Sequence, residues 1–327
     1  MKTMIEKAPI VFVPYLKSVI WGGDKICTYK RIEQTEPNIG ESWEISAVPG
    51  HESVVAEGPY KDLKLTSLID TFGDELLGED VMRRYGGKFP LLIKIIDAND
   101  NLSIQVHPDD ELAKARHNSL GKTEMWYIID AEKNSKIYSG LKKEITPSEY
   151  LSHVVDGTFD SLLAIHESNP GDVFFLPAGR VHAIGAGNLL AEIQESSDIT
   201  YRIYDYNRRD AHGNLRELHT MLAKDAIDYA FHEDYKSAPV APDAKCAAIV
   251  KCPHFDVYRI LIDGEMSLKF NRGSFTVIMC IEGKASLNYP YGSMTIHQGQ
   301  TVLCPAVLNE LTVSDHATLL TSQVIPI

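Results

Sequence analysis

Gln105 and His107 stand two residues apart. In an extended strand that spacing puts both side chains on one face, together with Ser103. Lys122 and Glu124 repeat the spacing, and would share a face if their segment is extended. His182 follows Gly171, Pro177 and Gly179, residues that mark turns around a short strand. Two imidazoles, one carboxylate and one amide oxygen make an N2O2 donor set. Zinc takes such ligands, and a reactive zinc site keeps one position for water or substrate. Manganese and iron take similar sets, so the donors point to a divalent metal with zinc the first choice. Each residue alone has a plainer reading. His107 precedes Pro108 and could end a strand, Glu124 could pair with Lys122 at the surface, and the Gln105 amide could bind a ligand instead of a metal. Order and spacing together argue for a site.

Two cations add to it. Lys94 interrupts the apolar run Leu91, Leu92, Ile93, Ile95, Ile96. A lysine there must meet a carboxylate or face a wet cavity, because a buried unpaired ammonium is costly. Arg202 lies in a strand-like stretch between Asp198 and Asp205. Either aspartate could pair with it; otherwise it is a fixed positive charge at the site.

The elements that must position these groups are mostly strands. Apolar runs at 91–96, 125–129 and 173–176 are bounded by turn residues. Helix-like spacing over 66–85 puts Leu68, Ile69, Phe72, Leu76 and Leu77 on one side, ending at Gly86 and Gly87. Two helical inserts are expected, one after Asp109 and Asp110 and one at Thr146-Pro147-Ser148-Glu149, which reads as a capping box. A further helix is expected over 218–229, then an Ala- and Pro-rich linker over 237–244. Residues 171–178 and 299–306 share one pattern: glycine, five residues, proline, alanine. Two copies suggest two small antiparallel barrels or jelly rolls. The expected fold is mainly β, with helical insertions. Residues 1–240 would hold the site and 241–327 a second, degenerate barrel of short strands.

Composition bounds the function. The chain has 327 residues, 44% hydrophobic and 24% charged, and a net charge of −13. That charge argues against nucleic acid, whose phosphates want a basic face. It leaves room for a small phosphorylated ligand held by a few local cations. No run of eighteen apolar residues suggests a membrane span, and residues 1–7 carry charges with no apolar core of a secretory leader, so the cytoplasm is expected. Five cysteines without a Cys-x2-Cys pair suggest neither disulfides nor a thiolate zinc site; Cys280 and Cys304 read as core residues.

The pattern Gly171-x5-Pro177-x-Gly179-x2-His182 resembles the second motif of the cupins, and Gln105-x-His107 with Glu124 resembles the first. More specifically, the chain resembles the type I phosphomannose isomerases of short bacterial form. The matching runs are Trp21-Gly22-Gly23, Gly40-Glu41-Ser42-Trp43-Glu44-Ile45-Ser46, Pro90-Leu91-Leu92-Ile93-Lys94 and Leu102-Ser103-Ile104-Gln105-Val106-His107-Pro108-Asp109-Asp110. They continue with Gly121-Lys122-Thr123-Glu124-Met125-Trp126-Tyr127, Pro177-Ala178-Gly179-x2-His182-Ala183 and Glu195-Ser196-Ser197-Asp198-x-Thr200-Tyr201-Arg202. They spread over most of residues 15–208; the C-terminal zone matches only in general character.

The resemblance implies an isomerase acting on mannose 6-phosphate and fructose 6-phosphate through an enediolate. One zinc ion per chain would be held by Gln105, His107, Glu124 and His182. Arg202 would be the catalytic arginine, and Lys94, Lys122 and Ser103 would line the sugar-phosphate site. Glu44 is grouped with the substrate-binding residues. It is also, with Lys122 and a zinc-held water, one of three candidate proton carriers. Longer relatives have a histidine where this chain has Gly121, so no base role carries over to that position. In the C-terminal repeat Glu310 stands where His182 would align, and that half is expected to be structural. The chain would work as a monomer or homodimer. The rival readings are a sugar-binding cupin without activity and a metal-dependent oxygenase on the same fold.

Overall fold

The computed structural model describes residues 4–209 and 212–324; the first three residues of the amino-terminal segment read above lie outside them. The chain opens with β1 (Ile10–Val13), β2 (Tyr15–Gly23), α1 (Lys25–Lys30), β3 (Ile39–Ile45) and β4 (Val54–Val55). The helix expected over 66–85 is three helices, α2 (Leu65–Phe72), α3 (Asp74–Leu77) and α4 (Glu79–Tyr85). Gly73 and Gly78 separate them at φ +53° and +91°, backbone that glycine adopts without steric cost. The apolar face survives the breaks, since Leu68, Ile69, Phe72, Leu76 and Leu77 are all buried.

The central elements are β5 (Leu91–Ala98), β6 (Ile104–Val106), α5 (Asp110–His117), β7 (Glu124–Ala131), β8 (Lys136–Leu141), α6 (Pro147–Val155), β9 (Leu163–Glu167), β10 (Val173–Leu176), β11 (His182–Ile184), β12 (Asn188–Glu195) and β13 (Tyr201–Tyr204). Both expected inserts form. Asp109 caps α5 by accepting the Leu112 N–H, and α6 begins with the reciprocal Thr146–Glu149 capping box. The helix expected over 218–229 is shorter, α7 (Thr220–Ala226).

These strands build two antiparallel sheets, in the orders β10-β7-β12-β5-β3-β2 and β13-β6-β11-β8-β9. One cluster joins them: Ile96, Trp126, Ile128, Phe174 and Leu190 from the first sheet meet Ile137 and Ile184 from the second. Burying each such side chain contributes about 1.5–3 kcal/mol. The other face of the first sheet carries Leu91, Ile93, Ile95, Met125, Tyr127, Ala191 and Ile193, which pack with α2 to α4 and the C-terminal strands. Period-two alternation thus divides β5, β7 and β12 cleanly between two cores. Lys94, Glu124 and Glu192 fall on the face between the sheets.

The last strands are β14 (Cys246–Lys251), β15 (Asp256–Lys269), β16 (Thr276–Tyr289), β17 (Gly292–His297), β18 (Thr301–Cys304) and β19 (Glu310–Gln323). β15, β16 and β19 each run 14 residues, where short strands were expected. They lie in an eight-stranded antiparallel sheet ordered β14-β15-β19-β16-β18-β1-β4, with β17 pairing β16. All three sheets are open, so of the barrels or jelly rolls expected none is a closed barrel. β1 pairs with β18 and β4 with β1, so the C-terminal sheet draws strands from the start of the chain and the 240/241 division does not separate the sheets. The repeated pattern is structural. Gly171 and Gly299 take φ +87° and +80°, and each is followed two residues later by a four-residue strand, β10 or β18. Cys280 and Cys304 are buried, as expected.

Candidate metal centre

β6 lies between β11 and β13, and Gln105 stands opposite His182 on one side and Arg202 on the other. His107 follows the end of β6. Glu124 is the first residue of β7 in the facing sheet, paired with Leu176 and Gln194. The site therefore forms where the two sheets face each other. His107 Nε2 is 3.5 Å from Glu124 Oε2, and His182 Nε2 is 3.2 Å from Glu124 Oε1. The three candidate ligand atoms lie within 4.8 Å of one another, and all three residues are buried.

The ring orientations are fixed from behind. His107 Nδ1 donates to the Ile199 carbonyl at 2.9 Å, and His182 Nδ1 donates to the Arg180 carbonyl at 2.8 Å. A carbonyl can only accept, so each Nδ1 carries the proton and each Nε2 turns a lone pair toward Glu124. That is the arrangement in which imidazole binds a metal. Glu124 is fully buried, and its Oε1 receives no hydrogen bond. Lys122 Nζ lies 3.0 Å from Glu124 Oε2 and 3.1 Å from His107 Nε2, so this ammonium sits against two of the donors. Two imidazole lone pairs and a buried carboxylate facing them fit a divalent metal. Gln105 is also at hand, its amide nitrogen 3.4 Å from His182 Nε2 and its oxygen 3.5 Å from Ser103 Oγ. A half-turn of the amide exchanges these two atoms and would aim the oxygen at the group.

Electrostatics suit the same role. Burial, aided by Lys122 and His182, holds His107 well below the usual histidine range. Burial lowers His182 to about 3, against the opposing bond to the Arg180 carbonyl. Both rings are neutral at pH 7, the ligand form. Burial pushes Glu124 up to about 7 against the pull of Lys122.

A cavity of about 400 Å³ opens beside the group. Lys94, Ser103, Gln105, Lys122 and Arg202 line it, so five of the expected residues converge on one space. Lys94 is 6% exposed and lies 2.9 Å from Glu192 and 3.6 Å from Glu41. Burial works against its charge, but the two carboxylates outweigh that and raise its pKa. The sequence expectation of a partnered lysine is met by two partners at once. Arg202 differs: among the described residues no carboxylate lies within ion-pair distance of it. Its Nη1 donates to the Glu217 carbonyl at 2.9 Å, while its buried Nε has no hydrogen-bond partner. Asp205, one of the expected partners, is bound instead by Arg208 and Arg216.

Glu44 does not line this cavity. It lies on β3 facing away, bonded by Ser42 Oγ at 2.6 Å and paired with Lys30, which also donates to the Gly299 carbonyl. Alternation along β3 explains the correction: Glu41 and Trp43 take the cavity side, with the Trp43 indole donating to Glu41 at 2.7 Å. Sequence reading passed over Glu41, Glu192, Lys17 and Arg216, which line the cavity. Glu192 carried a signal, a lone acid between Ala191 and Ile193, of the same kind that marked Lys94. A larger recess of about 870 Å³ lies elsewhere, near Lys25, Tyr127 and Arg259, and contains none of the ligand group.

Residues 11–134 match the family "Phosphomannose isomerase type I, catalytic domain", and residues 245–324 match "Mannose-6-phosphate isomerase, cupin domain". The chain is 36% identical to mannose-6-phosphate isomerase ManA of Bacillus subtilis (strain 168), covering 96% of this chain and 98% of that one. It is 32% identical to the mannose-6-phosphate isomerase of Streptococcus mutans serotype c over 91% of this chain and 92% of that one. The crystal structure of the mannose 6-phosphate isomerase from Bacillus subtilis superposes with a TM-score of 0.88 at 34% identity, covering 96% of this chain and 99% of that one. The chain belongs to the type I phosphomannose isomerase family.

Proposed function

We propose that the protein is a zinc-dependent aldose–ketose isomerase interconverting D-mannose 6-phosphate and D-fructose 6-phosphate. The supporting observation is the buried group of His107, Glu124 and His182, which Lys122 touches from a cavity that it lines together with Arg202. His107, Glu124 and His182 would hold the ion, with Gln105 as fourth protein ligand. Two neutral imidazoles, a carboxylate and an amide form a donor set that zinc takes readily. Bound there, zinc would supply Lewis-acid stabilisation for the oxyanion of an enediolate.

The remaining work falls to the chain. Isomerisation moves a proton between C2 and C1 and builds negative charge on the neighbouring oxygen. Arg202 is always charged and has an unpaired Nε, so it can hold the phosphate or that oxygen without first breaking an ion pair. Lys94 is held by Glu41 and Glu192, which suits it to fixing those carboxylates and donating to a sugar hydroxyl more than to binding a dianion. Lys122 is the proton carrier in this reading. Its Nζ is within 3.1 Å of both a ligand imidazole and Glu124. When Glu124 serves as a ligand its charge is shared with the ion, which weakens its hold on the lysine. Glu44, turned toward Lys30, has no place in the reaction.

The test removes metal with a chelator and follows mannose 6-phosphate conversion in a coupled assay. Turnover should vanish with zinc and return when zinc is added. Activity surviving complete zinc removal sinks the reading. Affinity for the sugar phosphate without turnover in the zinc-loaded protein would favour a binding cupin instead.

A further inference from the structure

Thr123 lies between Lys122 and Glu124 and borders a different recess, of about 530 Å³. Its N–H donates to Glu195 Oε2 at 2.8 Å, and its carbonyl accepts from the Glu195 N–H at 3.0 Å. The other carboxylate oxygen, Oε1, is 2.8 Å from His254 Nδ1. His254 sits between β14 and β15, in the C-terminal part of the chain. Glu195 is 2% exposed. A carboxylate this dry persists only with partners, and it has two: a backbone amide beside the site and an imidazole from a separate sheet. The contact with Glu195, joined by the charge of Asp110, raises the His254 pKa against burial and Arg84.

Lys122 precedes β7, so no strand ladder fixes it. The N–H of Lys122 itself goes to the Pro108 carbonyl at 3.1 Å, and that of Gly121 goes to Asp110 Oδ1 at 2.8 Å. The next peptide is the one that Glu195 holds. We propose that Glu195, braced by His254, is a positioning residue for Lys122: it fixes the peptide after the lysine and so sets the direction of the ammonium between His107 and Glu124. Asp110, Glu195 and His254 also present metal-ligating atoms within 4.8 Å of one another. Both oxygens of Glu195 are already engaged there, by the Thr123 amide and the His254 ring, so a clamp accounts for the cluster without an ion.

The inference rests on the reading of Lys122 as a working group of the site, and a double-mutant cycle separates the two. Misplacing a catalytic group by about 1 Å can cost about 10²-fold, so Glu195→Ala should lower kcat at least about tenfold. Its KM should move much less, and zinc content by elemental analysis should stay that of the parent. In a Lys122→Ala background the same change should cost less than about twofold, since two residues acting through one another are not additive. His254→Ala, at a half-buried ring, should show a smaller loss that also disappears in the Lys122→Ala background, and it carries the test if Glu195→Ala does not fold. An equal loss in both backgrounds, or parental kcat in both single variants, overturns the proposal. Parental turnover in Lys122→Ala overturns the reading of Lys122 itself; an impaired Lys122→Ala beside an unimpaired Glu195→Ala overturns only the clamp.

Discussion

Lys94 and Glu192 face each other directly across β5 and β12, both buried, with Nζ 2.9 Å from Oε2. Glu192 also accepts the Trp126 indole N–H at 2.9 Å; burial is the largest single influence and pushes its pKa up, but Lys94, Lys122 and the Trp126 bond together hold it low. Breaking a buried pair from one side leaves an uncompensated charge and costs about 3–5 kcal/mol. Lys94→Met should therefore lower the urea midpoint sharply. Lys94→Met with Glu192→Gln should recover part of the loss, because the amide still accepts from Trp126. A double variant no more stable than Lys94→Met would show that the charge is not what the site guards.

Metal affinity should depend on one proton. His182, at about 3, and His107, well below its usual range, are already neutral near pH 7, whereas Glu124 titrates at about 7. Its pKa is raised, so as pH falls below 7 the metal must displace a proton from it. Apparent affinity should then fall about tenfold per pH unit and stay level above pH 8. Chelator competition between pH 5.5 and 8.5 measures the slope, and a flat profile below 7 would remove Glu124 from the ligand set.

Arg202→Lys keeps a charge but loses the planar fork and the Nη1 bond to the Glu217 carbonyl. Turnover should drop about 10²-fold, the usual loss for one preorganised donor. Zinc content should not change, because no ligand atom is touched. Loss of zinc in this variant would make Arg202 a structural residue.

Gly22→Ala tests the frame around the site. A Cβ at Gly22 would come within 2.2 Å of the Asn38 carbonyl oxygen and 2.4 Å of the Gly40 nitrogen, both backbone atoms of the adjoining chain. Overpacking of that kind costs about 1–3 kcal/mol. Thermal unfolding should register the loss, and an unchanged midpoint would mean that the segment carrying Asn38 can move aside.

The sequence made the site legible because strands repeat every two residues. Gln105 with His107, and Lys122 with Glu124, needed only that rule to be placed together. Lys94 stood out because a charge in an apolar run demands a partner, but which acids answered it depended on register, and register is not visible in one strand. Glu44 was misplaced for a related reason: Glu41 and Glu44 stand on opposite faces of β3, and its pairing with β5 decides which face looks into the cavity. The 66–85 segment kept its apolar stripe, yet two glycines at positive φ broke the single helix that the stripe suggested. The Thr146 capping box could be read directly, because all its partners lie within four residues.

β1 ends up alongside β18, nearly three hundred residues further on, with β4 on its other side. A fragment beginning at residue 245, where the cupin match starts, would thus carry β18 with a bare edge, open to pairing with whatever chain it meets. During synthesis residues 10–13 emerge early, and the β18 edge that pairs with Ile10 and Val11 exists only when nearly the whole polypeptide has been made. Closing so long a loop favours slow folding, and an exposed β1 is a natural handle for a chaperone in the interval.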